Sequence, residues 1–161
     1  MTEAIKRIMH DLKKISRECP DGITASPDED DIMKWTCVIF GPDETIWEGG
    51  IFQLKMIFNE EYPIRPPKVT FTTQMFHPNI FKDGNICLDI LKDNWSPTYD
   101  VIAILSSIQL LLNEPNPSSP ATGEAAELYA RNKREYDRRV KEVVEKSLAD
   151  FEDEEDEIND E

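Results

Sequence analysis

Two stretches of alternation constrain this chain more than any other feature. Met33, Trp35, Cys37 and Ile39 alternate with Lys34, Thr36 and Val38, and Phe52, Leu54, Met56 and Phe58 alternate with Gln53, Lys55 and Ile57. A period of two places each set on one face of an extended strand, so both stretches predict half-buried β-strands. The first ends at Gly41-Pro42-Asp43-Glu44, where proline presets φ and glycine tolerates unusual dihedrals. Lys68-Val69-Thr70-Phe71-Thr72 predicts a shorter strand after Tyr62-Pro63-Ile64-Arg65-Pro66-Pro67, and Ile23-Thr24-Ala25 can add an edge strand ahead of them. Short links favour an antiparallel meander, because parallel pairing needs crossovers of about a dozen residues or more.

One face of such a sheet must be covered by helices. Ile5, Ile8, Met9, Leu12 and Ile15 recur at helical spacing, with Lys6, Arg7, Lys13, Lys14 and Arg17 on the remaining circumference. That basic face is either a solvated surface or a docking surface for an acidic partner. Val101 to Leu112 is apolar nearly all round and predicts a buried central helix, ended by the prolines of Asn113-Glu114-Pro115-Asn116-Pro117. Ser119 before Pro120 has the arrangement of an N-cap and first helical residue, so a third helix is expected to open there. A last helix from about Asn132 carries Tyr136, Val140, Val143, Val144 and Leu148 on one face. The expected fold is α+β: a four-stranded antiparallel meander with an N-terminal helix, a buried central helix and two C-terminal helices.

A chain of 161 residues can bury such a core without disulfides or a metal. Three cysteines without a CxxC pair suggest neither a disulfide framework nor a zinc site, and a reducing compartment is the simplest setting. No stretch is long enough to span a bilayer, so the expectation is a soluble intracellular protein. Charge divides the chain into residues 1–149 and an acidic tail, 150–161. The tail holds nine carboxylates and no Lys or Arg, so nine of the net charges of −15 lie there and −6 remains for the rest. Repulsion without apolar surface predicts disorder for it. It serves either as a solubility tail or as an electrostatic arm for basic partners, histones being one class. Direct nucleic-acid binding is disfavoured, because phosphate contacts need excess Lys and Arg.

The chemistry concentrates in Met75 to Leu91 and the following Asn94-Trp95-Ser96-Pro97, a polar segment without strand or helix periodicity. Cys19 at a helix end and Cys37 on the inward side of a strand read as structural. Cys87, beside Gly84 and Asn85, can be presented to solvent. His77 is the nearest histidine in sequence, whereas Asp83, Asp89 and Asp93 disfavour a resting thiolate. An acid-flanked cysteine without a clear base suits thioester exchange, in which a partner supplies the second nucleophile, better than peptide cleavage. Such a site needs a donor for the oxyanion, and an asparagine amide is a suitable one.

His77-Pro78-Asn79, seven residues, Cys87-Leu88-Asp89 and then Trp95-Ser96-Pro97 resemble the active-site signature of ubiquitin-conjugating enzymes. The resemblance covers residues 1–149, with Tyr62-Pro63 and Pro66-Pro67 before the signature and Pro115-Asn116-Pro117 after it. It implies that Cys87 accepts ubiquitin's C-terminal carboxyl as a thioester from a ubiquitin-activating enzyme and passes it to a substrate lysine. Asn79 would stabilise the oxyanion or hold the active-site loop. His77 would shape the loop, and Asp89 would orient the lysine or ubiquitin's tail. Lys6 and Arg7 would contact the activating enzyme. Arg7, Ile64, Ser96 and Pro97 would form the patch for a RING-type ubiquitin ligase, and Thr24 a second ubiquitin contact on the open sheet face. No cofactor is implied, because ATP is consumed by the activating enzyme. The implied state is a monomer in cytoplasm and nucleus, acting on protein substrates with no nucleic acid or membrane partner.

Two departures bear on these roles. Ser119 stands where many relatives carry an acidic residue at the active-site gate, which implies a weaker or phosphorylation-dependent environment for the lysine, or a plain N-cap. Ile64 stands where relatives often carry phenylalanine. The missing acidic insert between Cys87 and Trp95, with Tyr99-Asp100, Glu124-Ala125-Ala126 and the short acidic tail, resembles the DNA-repair and histone-ubiquitinating subtype. The alternatives are a conjugating enzyme for another ubiquitin-like modifier, a cysteine hydrolase using His77, and a non-catalytic ubiquitin-binding module.

Overall fold

The alternating strands form the sheet they predict. A computed structural model of the chain describes residues 1–121 and 123–159. In chain order its elements are α1 (Glu3–Glu18), β1 (Ile23–Asp28), β2 (Asp31–Phe40), β3 (Ile51–Ile57), β4 (Lys68–Phe71), a one-turn 3-10 helix (Asp89–Leu91), α2 (Val101–Asn113), α3 (Gly123–Arg131) and α4 (Lys133–Asn159). The strands lie in the order β1-β2-β3-β4 and every neighbouring pair is antiparallel. Cys37 stands opposite Ala25 and Leu54, and Leu54 opposite Phe71, so the inward residues of adjacent strands share a face.

That face is the core. Trp35, Cys37, Ile39, Phe52, Leu54 and Met56 are fully buried, and Val69 and Phe71 nearly so. Ile8 of α1, Ile104, Leu105 and Ile108 of α2, and Tyr136 and Val140 of α4 complete it. Each such side chain contributes about 1.5–3 kcal/mol by leaving water, so the packed layer and not strand propensity holds the frame. Burial also pushes the Cys37 thiol up to about 12, against the pull of Lys55, in keeping with a structural cysteine. On the opposite face Thr24, Lys34, Phe40 and Ile57 are exposed.

The helices differ from expectation in three places. Ser119 does not cap the third helix: α3 starts at Gly123, and residues 115–121 form a proline-rich turn held by the Ala121 N–H donating to the Pro78 carbonyl at 2.6 Å. Asn132 instead supplies a cap, its side-chain oxygen accepting from the Glu135 N–H of α4 at 3.3 Å. Leu110 of α2 is 59% exposed, so that helix is buried on one side only.

The third difference is the acidic segment. The disorder expected from residue 150 is not what the described residues show, because α4 continues unbroken through Asn159; residues 160 and 161 lie outside the described chain. Attachment explains the start of this extension. The buried Ser147 accepts from the Ile51 N–H at 3.1 Å, Lys146 pairs with Asp150 at 3.8 Å, and Phe151 borders a small cleft with Val38, Ile51 and Gln53. A helix already propagating adds residues cheaply compared with nucleating a new one.

Candidate active site

After β4 the chain folds back on itself, and a glycine makes the fold possible. Gly84 has φ +91°, and a Cβ there would lie 2.0 Å from the Phe71 carbonyl oxygen. That close approach lets the Phe71 N–H donate to the Gly84 carbonyl at 2.9 Å. Asp83 accepts from the Asn85 backbone N–H at 3.0 Å and from its side-chain amide at 2.8 Å, locking the turn. Ile80 bridges to Ile86, and the returning segment lays the Cys87 N–H on the Asn79 carbonyl at 2.8 Å. The seven residues between Asn79 and Cys87 are thus a closed loop whose two ends meet.

Cys87 is half-buried and opens on a groove of about 290 Å³, which Asp89, Lys92, Asn116 and Ser119 also line. Asp89 is exposed and accepts from the Asn94 side-chain amide at 3.0 Å. Ser119, also exposed, contributes its backbone to the site through its carbonyl oxygen.

Asn79 is fully buried with its side chain saturated. Its Nδ2 donates to the carbonyls of Asn116, at 2.9 Å, and Ser119, at 2.8 Å, while its Oδ1 accepts from the Asn116 N–H at 2.7 Å. Both amide hydrogens are therefore committed to the turn that walls the groove. Asn116 was visible in sequence only as part of a Pro-Asn-Pro turn, and nothing local marked it as this partner.

His77 is buried beside it. The Asn79 N–H donates to His77 Nδ1 at 3.0 Å, so that nitrogen is unprotonated and Nε2 carries the hydrogen, donating to the Leu111 carbonyl at 2.7 Å. Burial pushes the imidazole down to about 4, although the carbonyls of Leu111 and Leu112 favour the charged form. Both ring nitrogens serve backbone groups, one on the active-site loop and one on α2. The ring joins these elements and is not free to deprotonate Cys87.

The residues expected to meet partners gather at a second place, where α1 crosses the loops before β4 and after Cys87. Arg7 donates through Nη1 to the Pro97 carbonyl at 2.7 Å, through Nη2 to the Tyr99 carbonyl at 2.6 Å, and through Nε to Asp11 at 2.9 Å. Asp11 is buried and also accepts from the Tyr62 hydroxyl. Burial, reinforced by that bond, pushes Tyr62 well above the usual phenol range and keeps it a donor. Trp95 Nε1 donates to the Pro63 carbonyl at 2.8 Å. The loops carrying Ile64, Ser96 and Pro97 are thereby fixed to α1, with Ile64 70% exposed and Pro97 exposed. Lys6 remains on the surface, paired with Glu3 at 3.4 Å. Thr24 lies apart, exposed on β1 opposite Val38.

Sequence reading passed over Asp11, and named Tyr62 only within its proline-flanked stretch and not as the partner of that carboxylate. The available signal was a carboxylate in register with the buried Ala4, Ile8 and Ile15 of an amphipathic helix, since a charge at a core position needs a partner.

Comparison with known proteins agrees with this geometry. The sequence model of one family, described as ubiquitin-conjugating enzyme, matches residues 7–144. The chain is 54% identical over 150 residues to "Ubiquitin-conjugating enzyme E2 1" of Caenorhabditis elegans, spanning 93% of this chain and 78% of that protein. It is 55% identical over 146 residues to "Ubiquitin-conjugating enzyme E2 3" of Arabidopsis thaliana, spanning 91% of this chain and 97% of that protein. A thiol seated on a rigid loop at a groove, and likeness along nearly the whole chain, lead to one assignment: the chain belongs to the ubiquitin-conjugating enzyme family.

Proposed function

We propose that Cys87 is the acceptor of ubiquitin in this enzyme. Its Sγ attacks the carbonyl of the thioester carried by the activating enzyme; the new C–S bond forms and the other thiolate leaves. A substrate lysine then attacks the same carbonyl, the C–N bond forms and the bond to Cys87 breaks. The observation that carries this reading is the anchoring of Cys87 to Asn79 at the mouth of the groove, with His77 committed elsewhere. A hydrolase would need that imidazole as its base.

Asn79 then acts through the wall of the groove. It holds residues 116–119 in place, and stabilising an oxyanion would require it to release one of its two carbonyls. Asp89 at the rim orients the incoming amine, and His77 keeps the loop in register with α2. Arg7 holds the ligase patch of Ile64, Ser96 and Pro97 in shape. Lys6 meets the activating enzyme, and Thr24 offers a second ubiquitin contact. ATP acts on the activating enzyme and this chain needs no cofactor.

The acidic extension of α4 supports a finer reading: basic protein substrates such as histones, and with them a nuclear as well as cytoplasmic role in DNA repair. The deciding experiment for the core of the proposal is a non-reducing gel with activating enzyme, ATP and ubiquitin. A thiol-sensitive adduct is expected in the wild type and absent from Cys87→Ala; an unchanged adduct in that variant overturns the assignment.

A further inference from the structure

A second groove, of about 650 Å³, opens between the outer side of α2 and the turns at Asp21-Gly22 and Gly41-Pro42-Asp43. Two large apolar side chains line it while facing solvent, Leu110, 59% exposed, and Phe40, 40% exposed. Its walls are tied together. The Gln109 side-chain amide donates to the Asp21 carbonyl at 3.2 Å, the Phe40 N–H to the Gly22 carbonyl at 2.9 Å and the Gly41 N–H to the Gly50 carbonyl at 2.9 Å. A groove preformed in this way loses little of its own freedom when a ligand binds. The lining includes three exposed carboxylates, Asp21, Asp43 and Glu114, and no Lys or Arg. Among the described residues none of the three has an ion-pair or hydrogen-bond partner for its carboxylate. The C-terminal end of α2 lies here too and adds negative potential. This groove adjoins the one that holds Cys87: Leu110 and Glu114 line the first, Leu111 and Asn116 the second. From Glu114 to Asn116 the chain spans at most ~7 Å, so one extended peptide can lie in both.

We propose that this second groove docks a basic segment of the protein substrate. An aliphatic side chain of the segment packs on Leu110 and Phe40, its Lys or Arg side chains meet Asp21, Asp43 and Glu114, and the acceptor lysine, further along the same extended segment, reaches Cys87. The inference rests on the assignment of Cys87 above and names what the enzyme selects beside the acceptor. Charge complementarity decides the occupant. Unpaired carboxylates around an apolar surface repel an acidic segment, and a purely apolar one would desolvate them without pairing them. The acidic extension of α4 attracts any cation through its charge, whereas the groove adds an apolar anchor and so discriminates between basic sequences. Contacts of this kind are the same before and during the reaction, so docking lowers KM and leaves kcat alone.

The probe is a peptide with three arginines and one leucine followed by a single acceptor lysine; a control peptide carries glutamine at each arginine. Amide NMR spectra of the uncharged full chain are expected to shift at Gly22, Gly41, Gln109 and Leu110 with the arginine peptide and far less with the control. Shifts confined to residues 150–159, or none, overturn the inference. In the second measurement the chain is charged with ubiquitin and its discharge is followed against peptide concentration. Asp21→Asn/Asp43→Asn and Leu110→Ser are each expected to raise KM for the arginine peptide about fivefold or more at low salt with kcat unchanged. Discharge to the control peptide and to free lysine stays at the wild-type rate. An unchanged KM overturns the inference, and so does an equal slowing with free lysine, which would assign the groove to ubiquitin itself. Should Leu110→Ser fail to fold, the exposed Asp21→Asn/Asp43→Asn pair decides. A wild-type chain that forms no thiol-sensitive adduct overturns the Cys87 assignment, whereas the spectra of the uncharged chain still decide whether the groove docks the peptide.

Discussion

The side chain of Asn79 and the backbone of Asn116 hold each other in both directions: Nδ2 donates to the Asn116 carbonyl at 2.9 Å and Oδ1 accepts from the Asn116 N–H at 2.7 Å. The pair joins positions 37 apart in sequence and holds Asn116 in the wall of the groove beside Cys87. It also turns a question of catalysis into one of architecture, because the same amide cannot give all its hydrogens to the turn and to an oxyanion at once.

Asn79→Ala removes three hydrogen bonds at a fully buried site and leaves two carbonyls and an N–H to find new partners. The expected cost is about 2–4 kcal/mol of stability, read by urea denaturation. The variant still forms the thiol-sensitive adduct, and discharge to free lysine slows by about 10²-fold. Wild-type discharge in a destabilised Asn79→Ala protein would show that the groove wall does not govern transfer.

His77 makes stability depend on pH in a definite direction. The unfolded imidazole takes up a proton as pH falls through about 6.5, while the buried ring resists until about 4. The unfolded chain binds the extra proton across this window, so the contribution is complete above pH 6.5 and is lost as pH drops toward 4. At about 1.4 kcal/mol per pKa unit it amounts to about 3 kcal/mol. Urea midpoints measured from pH 7.5 to 4.5 are expected to fall in the wild type, with a flatter profile in His77→Gln. Identical slopes in the two proteins would contradict the buried neutral ring.

Substitutions at Arg7 and Ile64 are expected to separate building the proposed ligase patch from touching the ligase. Arg7→Ala leaves the buried Asp11 without its cation and the Pro97 and Tyr99 carbonyls without donors, at an expected cost of about 2–4 kcal/mol in thermal or urea unfolding. Arg7→Lys recovers only part of this, because an ammonium cannot span three acceptors as the guanidinium fork does. Ile64→Ala, at an exposed position, changes stability by less than about 0.5 kcal/mol. It is expected to lower discharge stimulated by a RING-type ligase while ligase-free discharge stays constant; equal ligase stimulation in wild type and Ile64→Ala would remove Ile64 from the patch.

Truncation after Ala149 removes nine carboxylates and leaves a net charge of −6. Transfer to a basic substrate is expected to slow on truncation at low salt, with the difference closing at high salt, while a neutral substrate shows neither effect. In the full chain, carboxylates at the C-terminal end of α4 oppose the helix dipole and one another. Added salt should therefore raise the helical circular-dichroism signal of the full chain and not of the truncated one.

The frame was legible where its cause is local. Alternation at Met33 to Ile39 and Phe52 to Phe58 specifies which residues face inward, and short links allow little besides antiparallel pairing. The third helix was misplaced because Ser119-Pro120 looks like a cap from its own neighbours, whereas Ala121 is drawn to Pro78 by a contact more than forty residues away in sequence. The acidic segment, for which composition predicts disorder, is helical as far as Asn159. Composition describes its repulsion but not the helix already docked through Ser147 and Phe151.

The same division holds in the site. Sequence alone determined that a cysteine would stand on a glycine-bearing polar loop with a histidine and an asparagine at a spacing one family shares. Tertiary structure decided what those neighbours do. His77 meets α2 through Leu111, Asn79 meets Asn116 and Ser119, and Arg7 reaches Pro97 and Tyr99, 90 and 92 positions away. Each of these bonds exists because packing brings distant backbone groups to a polar side chain, buried for His77 and Asn79 and half-buried for Arg7, that would be costly to leave unpaired. Burial and long-range partners of that kind are properties of the folded surface, which no local pattern of residues encodes.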